Sequence, residues 1–346
     1  MTRKAVESTT AGQPDKVCDQ IADAIVDEYL RRDPQAHIDL DVMGSHGMLM
    51  IGGEASSKAD FDLAELARRV YHEIGYTDEI EVFVNIERQS KEMEGSRGAS
   101  DTVIVHGYAT AETREMLPRP LVFAHALTRR IDNLRRNDPS FAWLRPDGKV
   151  QLVLERDRVR TVTVLASHDA SVNTRDVQTI ILDRIVTPVV GEEGAQIFIN
   201  PIGSFTTFGF QADSGASGRK HATDTYGALI PHGDNHLSGK DPHKAERAGA
   251  YMARYAARQL VSQGFATSAF VTLVYTLGRA EPVHVEAKGT GGAGGTGVAK
   301  DLTEVAKKQF DFRPDAIVER FSLARPIYQS TAVYGHFGRA EFPWES

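Results

Sequence analysis

Between His232 and Arg247 the chain reads H-G-D-N-H-L-S-G-K-D-P-H-K-A-E-R, with two lysines four residues apart among glycines and a proline. Ser238-Gly239-Lys240-Asp241 spells a tight polar turn. Pro242 suits the first position of a helix, because its ring presets φ and its missing N–H is not needed there. Ala245, Ala248, Tyr251, Met252, Tyr255 and Leu260 follow at helical spacing and predict a helix over Pro242–Gln263. Lys240 and Lys244 would stand near its N-terminus, where free backbone N–H groups already favour an anion. Glu246 offers a metal-binding oxygen close by, and Ser217-Gly218-Arg219-Lys220 brings two more cations on a small-residue turn. Four cations beside glycines that admit close approach suggest a polyphosphate site, although a solvated basic helix start accounts for this stretch alone equally well. It is not a Walker loop, since Gly-x-x-x-x-Gly-Lys-Ser/Thr does not occur.

The rest of the composition narrows the ligand. The chain has 346 residues, 41% hydrophobic and 25% charged, ordinary for a globular protein of one to three domains. A net charge of −7 argues against a nucleic-acid binder, so the local basic cluster favours a small anion. No apolar run is long enough to span a bilayer. The single cysteine, Cys18, excludes an internal disulfide framework and a cysteine-rich zinc site, and fits a reducing cytoplasm.

The elements that must position these residues read in order as follows. Gly12-Gln13-Pro14-Asp15-Lys16 opens a helix whose buried stripe is Val17, Ile21, Ile25 and Tyr29, ended by Asp33-Pro34. Asp15 in its first turn either compensates the helix dipole or ligates a metal. Ile38–Val42 alternates as a strand, Met48–Ile51 returns, and Gly52-Gly53 brings Glu54 near another backbone. A helix over 60–73 and a strand over 80–86 follow. Gln89–Asp101 carries no apolar period and reads as a mobile lid. Further on, a strand at 103–105, a helix over 121–136, a hairpin at 150–154 and 160–165, a helix over 172–189 and a strand at 196–199 are expected. The end of the chain is expected to hold strands at 270–275 and 283–287 and a helix over 298–310. The glycine run Gly289–Gly297 reads as a flexible connection. Helix, two strands, helix, strand recurs three times, which argues for α+β layers and against a doubly wound parallel sheet.

Several separated words then agree. Glu7-Ser8, Gly12-Gln13-Pro14-Asp15-Lys16 and Gly52-Gly53-Glu54 resemble the first third of bacterial S-adenosylmethionine synthetases. Trp143–Lys149 (W-L-R-P-D-G-K) resembles their middle third. Phe198–Pro201, Gly218-Arg219-Lys220, Asp224–Gly227, Ser238–Pro242 and Tyr334–Arg339 resemble the last. The resemblance implies three similar α/β domains about a pseudo-threefold axis, here 1–95, 98–207 and 208–346. It implies a homodimer, or two such dimers paired into a tetramer, with active sites at the interface. It also implies attack of methionine sulfur on C5′ of ATP, with release and hydrolysis of tripolyphosphate. By the same resemblance Gln13, Lys149, Arg219, Lys220, Lys240 and Lys244 are the catalytic set, and His236 lies by the triphosphate. Asp147, Ser204, Phe205 and Asp213 hold the nucleotide. Glu54, Gln89, Asp101, Asp213 and Lys244 hold methionine. Asp15 and Glu246 ligate Mg²⁺, and Asp41 ligates K⁺.

Four features depart from the family pattern. Gln13 stands where the family has a histidine that assists the departing oxygen, and glutamine carries no proton near neutral pH. Asp41 replaces a potassium-binding glutamate, Asp234-Asn235-His236 replaces a glycine-rich approach, and the Gln89–Asp101 loop is short. Three readings follow: a working synthetase, a relative that uses another acceptor or mainly hydrolyses tripolyphosphate, and a non-catalytic partner subunit. Retention of the basic residues and Asp15 argues against the third; retention of Glu54 and Gln89 favours methionine.

Overall fold

The computed structural model describes residues 3–90, 98–156, 158–191, 194–291 and 299–346. β1 (Arg3–Thr9) leads into α1 (Pro14–Arg32), the hairpin β2 (His37–Ser45) and β3 (Met48–Ser56), α2 (Leu63–Ile74) and β4 (Glu81–Glu87). β5 (Val103–Thr110) opens the next stretch, followed by α3 (Arg119–Asn137) and the hairpin β6 (Leu144–Glu155) and β7 (Arg158–His168). Then come α4 (Thr174–Ile181), a π-helical turn at Leu182–Val186, α5 (Thr187–Val190) and β8 (Gln196–Ile199). The last stretch holds β9 (Gly215–Ala216), α6 (His221–Asp224), α7 (Ala245–Ser262), β10 (Ser268–Tyr275), β11 (His284–Thr290), β12 (Lys300–Asp301), α8 (Thr303–Gln309) and α9 (Pro314–Phe321).

Among the described residues these strands make three four-stranded sheets, ordered β9-β2-β3-β4, β1-β6-β7-β8 and β5-β10-β11-β12. Each is built on a hairpin that follows a long helix, with one flanking strand imported from elsewhere in the chain. β1 joins the second sheet, β5 the third and β9 the first, so each unit donates its opening strand to the next around a ring. The fold is α+β in three units, and buried apolar side chains from all three form one continuous core.

Local sequence explains most of these elements. In β2, Ile38, Leu40 and Val42 are fully buried while Asp39 and Asp41 face outward, as alternation requires. The expected stripe of α1 is buried too, but so is nearly all of its opposite face. There Asp15, Asp19, Asp23 and Asp27 recur every four residues, and each accepts backbone N–H groups of the last third. Ala216 N donates to Asp15, Gly218 N to Asp19, Gly239 N to Asp23, and Tyr328 N and Gln329 N to Asp27. Packing α1 against irregular backbone thus leaves few N–H groups without a partner.

Several boundaries differ from the expectations. The helix expected from Pro242 begins at Ala245, because the Asp241 carboxylate accepts His243 N at 2.7 Å and Ile38 N at 2.6 Å, holding 241–244 as a turn against β2. The 172–189 helix is broken by the π turn, and the 298–310 helix is the shorter α8 preceded by β12. β1 and α9 were not expected. Residues 91–97 of the expected lid, 292–297 of the glycine run and 298, the start of the expected 298–310 helix, lie outside the described residues.

Candidate active site

Gln13 caps α1: its backbone is extended, and Oε1 accepts Lys16 N at 3.2 Å. Its Nε2 donates to Asp15 Oδ2 at 3.0 Å. A Cβ on Gly12 would fall 2.3 Å from Pro146 Cβ, so only glycine lets the first motif touch the Trp143–Lys149 motif. Lys16 is buried and reaches Asp19 at 2.8 Å and Asp224 at 2.5 Å, joining the first motif to Asp224–Gly227. Burial opposes its charge, but the two carboxylates outweigh that and raise its pKa.

Asp15 is the hinge of a first cation cluster. Lys220 Nζ stands 2.5 Å and Arg219 Nη1 3.4 Å from its carboxylate, and Ala216 N donates to Oδ1 at 3.0 Å. Burial penalises the ionised form, yet the hydrogen bonds from Lys220, Ala216 and Gln13 win and hold the carboxyl below its ordinary value. The small-residue turn is needed here, since Gly218 has φ +76° and a Cβ on it would strike His236 Cγ at 2.3 Å.

A second cluster lies along β2. Lys240 and Lys244 are both buried, with their Nζ atoms 3.3 and 3.2 Å from the two oxygens of Asp39. Burial works against the Lys244 charge, but Asp39 overcomes it and raises the pKa. Asp41, two residues along the same face, links the clusters: Ser217 Oγ donates to it at 2.9 Å and His236 Nε2 stands 3.2 Å away. The His236 ring is the main cause that holds the Asp41 carboxyl down at about 2. Both pairs of cations therefore face carboxylates that a polyanion would have to compete with.

The nucleotide candidates sit on β6 and the segment after β8. Asp147 Oδ2 accepts Gly209 N at 2.9 Å, and Lys149 pairs with Glu7 at 2.6 Å. Phe205 is half-buried against His168, while Ser204 and Asp213 are exposed, the latter bonded to Ser214 N. Burial lifts Asp147 to about 7, and the nearby Asp213 and Asp15 charges add to it. Between about pH 4 and that value the folded chain holds a proton which the unfolded chain has released. Stability should thus fall as pH rises through this window, by up to about 1.4 kcal/mol per pH unit for one proton. Asp147→Asn is expected to flatten the pH dependence of urea unfolding there; an undiminished slope would assign the titration to another group.

Of the methionine candidates, Glu54 lies opposite Asp39 across β2 and β3, which places it beside the Lys240–Lys244 pair. Gln89 is half-buried just beyond β4, its N–H on Ser56 Oγ at 3.2 Å. Asp101 accepts from Asn235 Nδ2 at 3.1 Å, next to His236. Glu246 is buried with Oε2 lacking any hydrogen-bond partner, and burial raises its pKa. Among the described residues no group of three or more His, Cys, Asp or Glu side chains converges as a metal cage. Isolated carboxylates at Asp15 and Glu246, one with an orphaned oxygen, still fit a cation of the Mg²⁺ type, which takes one or two protein carboxylates and completes its shell with phosphate and water. Sequence reasoning missed Asp39, Asp23 and His168. The four-residue recurrence of aspartates in α1 was the available signal for Asp23.

Comparison with known proteins bears on the chain as a whole. Family models for S-adenosylmethionine synthetase match the chain end to end: the N-terminal domain over 3–91, the central domain over 96–205 and the C-terminal domain over 207–346. An S-adenosylmethionine synthase of Sorangium cellulosum is 38% identical over 98% of this chain and 86% of that protein. Those of Petrotoga mobilis and Thermus thermophilus are also 38% identical, over 98% of this chain and 94% of each protein. With all three domains matched in order and relatives covered nearly whole, the chain belongs to the S-adenosylmethionine synthetase family.

Proposed function

We propose that this chain makes S-adenosylmethionine by attack of the methionine sulfur on C5′ of ATP, expelling the triphosphate whole and then hydrolysing it to pyrophosphate and phosphate. The observation that carries the reading is the pair of cation clusters, Arg219–Lys220 on Asp15 and Lys240–Lys244 on Asp39, joined through Asp41, Ser217 and His236. A leaving triphosphate gathers negative charge as the C5′–O bond breaks, and cations freed from their carboxylates when the nucleotide binds are then in place to stabilise it. Sulfur needs no general base, so orientation against C5′ supplies much of the remaining acceleration. Lys149 adds a cation, and Phe205, Ser204, Asp147 and Asp213 hold the nucleoside. Glu54, Gln89, Asp101 and Lys244 hold methionine. Mg²⁺ on Asp15 and Glu246 would neutralise phosphate charge, and Asp41 is the candidate for K⁺.

The working unit is proposed to be a homodimer in the cytoplasm. Met43, Met50 and Phe83 lie in one row across β2, β3 and β4, each about half exposed, with Met48 alongside. An uncovered apolar sheet face of this kind suits a second copy. Light scattering at a mass near one 38.0 kDa chain would count against it.

Incubation of the purified chain with ATP, Mg²⁺ and methionine, followed by mass analysis, should give S-adenosylmethionine and triphosphate products. Triphosphate products alone would support a tripolyphosphatase or another acceptor. One observation bears on that alternative: Gln13 spends one amide N–H on Asp15, leaving a single N–H for the departing oxygen. Gln13→Ala is expected to slow single-turnover synthesis by about tenfold, the worth of one transition-state hydrogen bond, while tripolyphosphate hydrolysis stays near normal. Loss of synthesis in His236→Ala with Gln13→Ala unaffected would move the donor to His236.

A further inference from the structure

His168, the last residue of β7, takes no part in the proposed chemistry, yet it holds both polar backbone atoms of Phe205. His168 N donates to Phe205 O at 2.9 Å, and Phe205 N donates to His168 Nε2 at 3.1 Å. The residue is 1% exposed, so no water stands in for either bond. A ring nitrogen that accepts a backbone N–H carries no proton, so the proton is on Nδ1, which donates to Asp169 O at 3.0 Å. Asp169 is fixed in turn: its N–H donates to Trp143 O at 2.8 Å, and its carboxylate accepts Ser171 N at 2.9 Å and Arg145 at 2.5 Å.

The same segment is tied once more upstream. Asn200, at φ +41°, accepts Ala166 N and donates to Ala166 O, both at 2.9 Å. Residues 201–204 span the two ties, so Phe205 emerges from a loop pinned at both ends to β7. His168 and Phe208, with Tyr76 and Arg145, line a cavity of about 510 Å³ that begins just past Phe205, at Thr206. The clamp fixes where the Phe205 backbone stands, and with it the root of the ring.

We propose that His168 is the positioning residue of the nucleoside half-site: its neutral imidazole and its N–H together set the height of Phe205, and with it the binding of the adenine base. This rests on the assignment of Phe205 to the adenine. Aromatic rings bind a base by face contact, which falls off steeply with displacement, so a pinned backbone is worth affinity without touching the ligand.

The test compares ATP and inorganic tripolyphosphate binding by calorimetry in the full chain for Phe205→Ala, His168→Leu, His168→Asn and His168→Gln. Leucine removes both ring nitrogens. Asparagine keeps a donor near Nδ1 without the distal acceptor, and glutamine restores an acceptor near Nε2. Loss of one buried acceptor should weaken ATP about tenfold in the leucine and asparagine variants. Glutamine should recover most of that loss, and tripolyphosphate should bind all four variants like the parent. In turnover, KM for ATP should rise while KM for methionine and kcat hold. A merely structural role would lower both affinities together and would not be rescued by glutamine. Normal ATP affinity in His168→Asn, with Phe205→Ala impaired, would overturn the clamp and leave the adenine assignment standing. Normal ATP affinity in Phe205→Ala would overturn both.

Discussion

Asp23→Ala is expected to destabilise the protein by about 3–5 kcal/mol, the range for breaking a buried ion pair from one side. Arg247 is fully buried and donates through Nη1 and Nη2 to the two oxygens of Asp23 at 2.8 and 2.9 Å. It also meets Lys240 O at 2.7 Å, Tyr251 OH at 3.0 Å, Thr331 Oγ1 at 3.3 Å and the Tyr328 ring at 4.1 Å. Removing the carboxylate leaves a guanidinium with neither water nor a counter-charge, and also strands Gly239 N, which donates to Asp23 at 2.9 Å. Urea unfolding measures the loss. Asp23→Ala combined with Arg247→Met should recover part of it, because the buried charge is then gone. A single variant within about 1 kcal/mol of the parent would contradict the burial argument. Because the pair grips the backbone on either side of Lys240, tripolyphosphate affinity should fall as well.

Lys240→Ala should reduce affinity for tripolyphosphate and ATP by about 10- to 100-fold, the equivalent of one charge-assisted hydrogen bond. Lys240 and Lys244 share Asp39, so a bound polyanion displaces that carboxylate from both. The mirror experiment follows: Asp39→Asn should tighten tripolyphosphate binding, because both lysines lose their resident competitor. Calorimetry on the two variants decides. Unchanged affinity in Lys240→Ala, or weaker binding in Asp39→Asn, would remove the lysine pair from the triphosphate site.

Much of this was legible in the sequence, for reasons visible in particular residues. Val17, Ile21, Ile25 and Tyr29 repeat with the period of one helix face, and Ile38, Leu40 and Val42 with that of one strand face; burial against a core follows directly. The cations were legible because lysines among glycines stand out in an acidic chain. What could not be read was which carboxylate each cation meets. Asp15 and Lys220 are 205 residues apart, and Asp23 and Arg247 224 apart, so no local pattern pairs them. The aspartate ladder of α1 has the period of a solvated face, and only its distant N–H partners distinguish the two. Pro242 misled for a related reason: proline suits the first position of a turn as well as of a helix, and the choice was made by Asp241 bonding to β2.

The ring of imported strands bears on how such a chain is made. A ribosome delivers β1 well before β6, the partner it needs, and delivers β5 about as long before β10. The β2 edge, meanwhile, waits for β9, about half the chain later. Only the first unit cannot finish its sheet while it is the newest part of the nascent polypeptide, since β1 and β5 are already made when the second and third sheets form; the ring closes only once β9 has left the exit tunnel. Strictly vectorial, one-domain-at-a-time folding is therefore closed to the first unit, whose sheet is completed by the third. Its first sheet stands open-edged at β2 during synthesis, the state in which strand edges recruit the wrong neighbours.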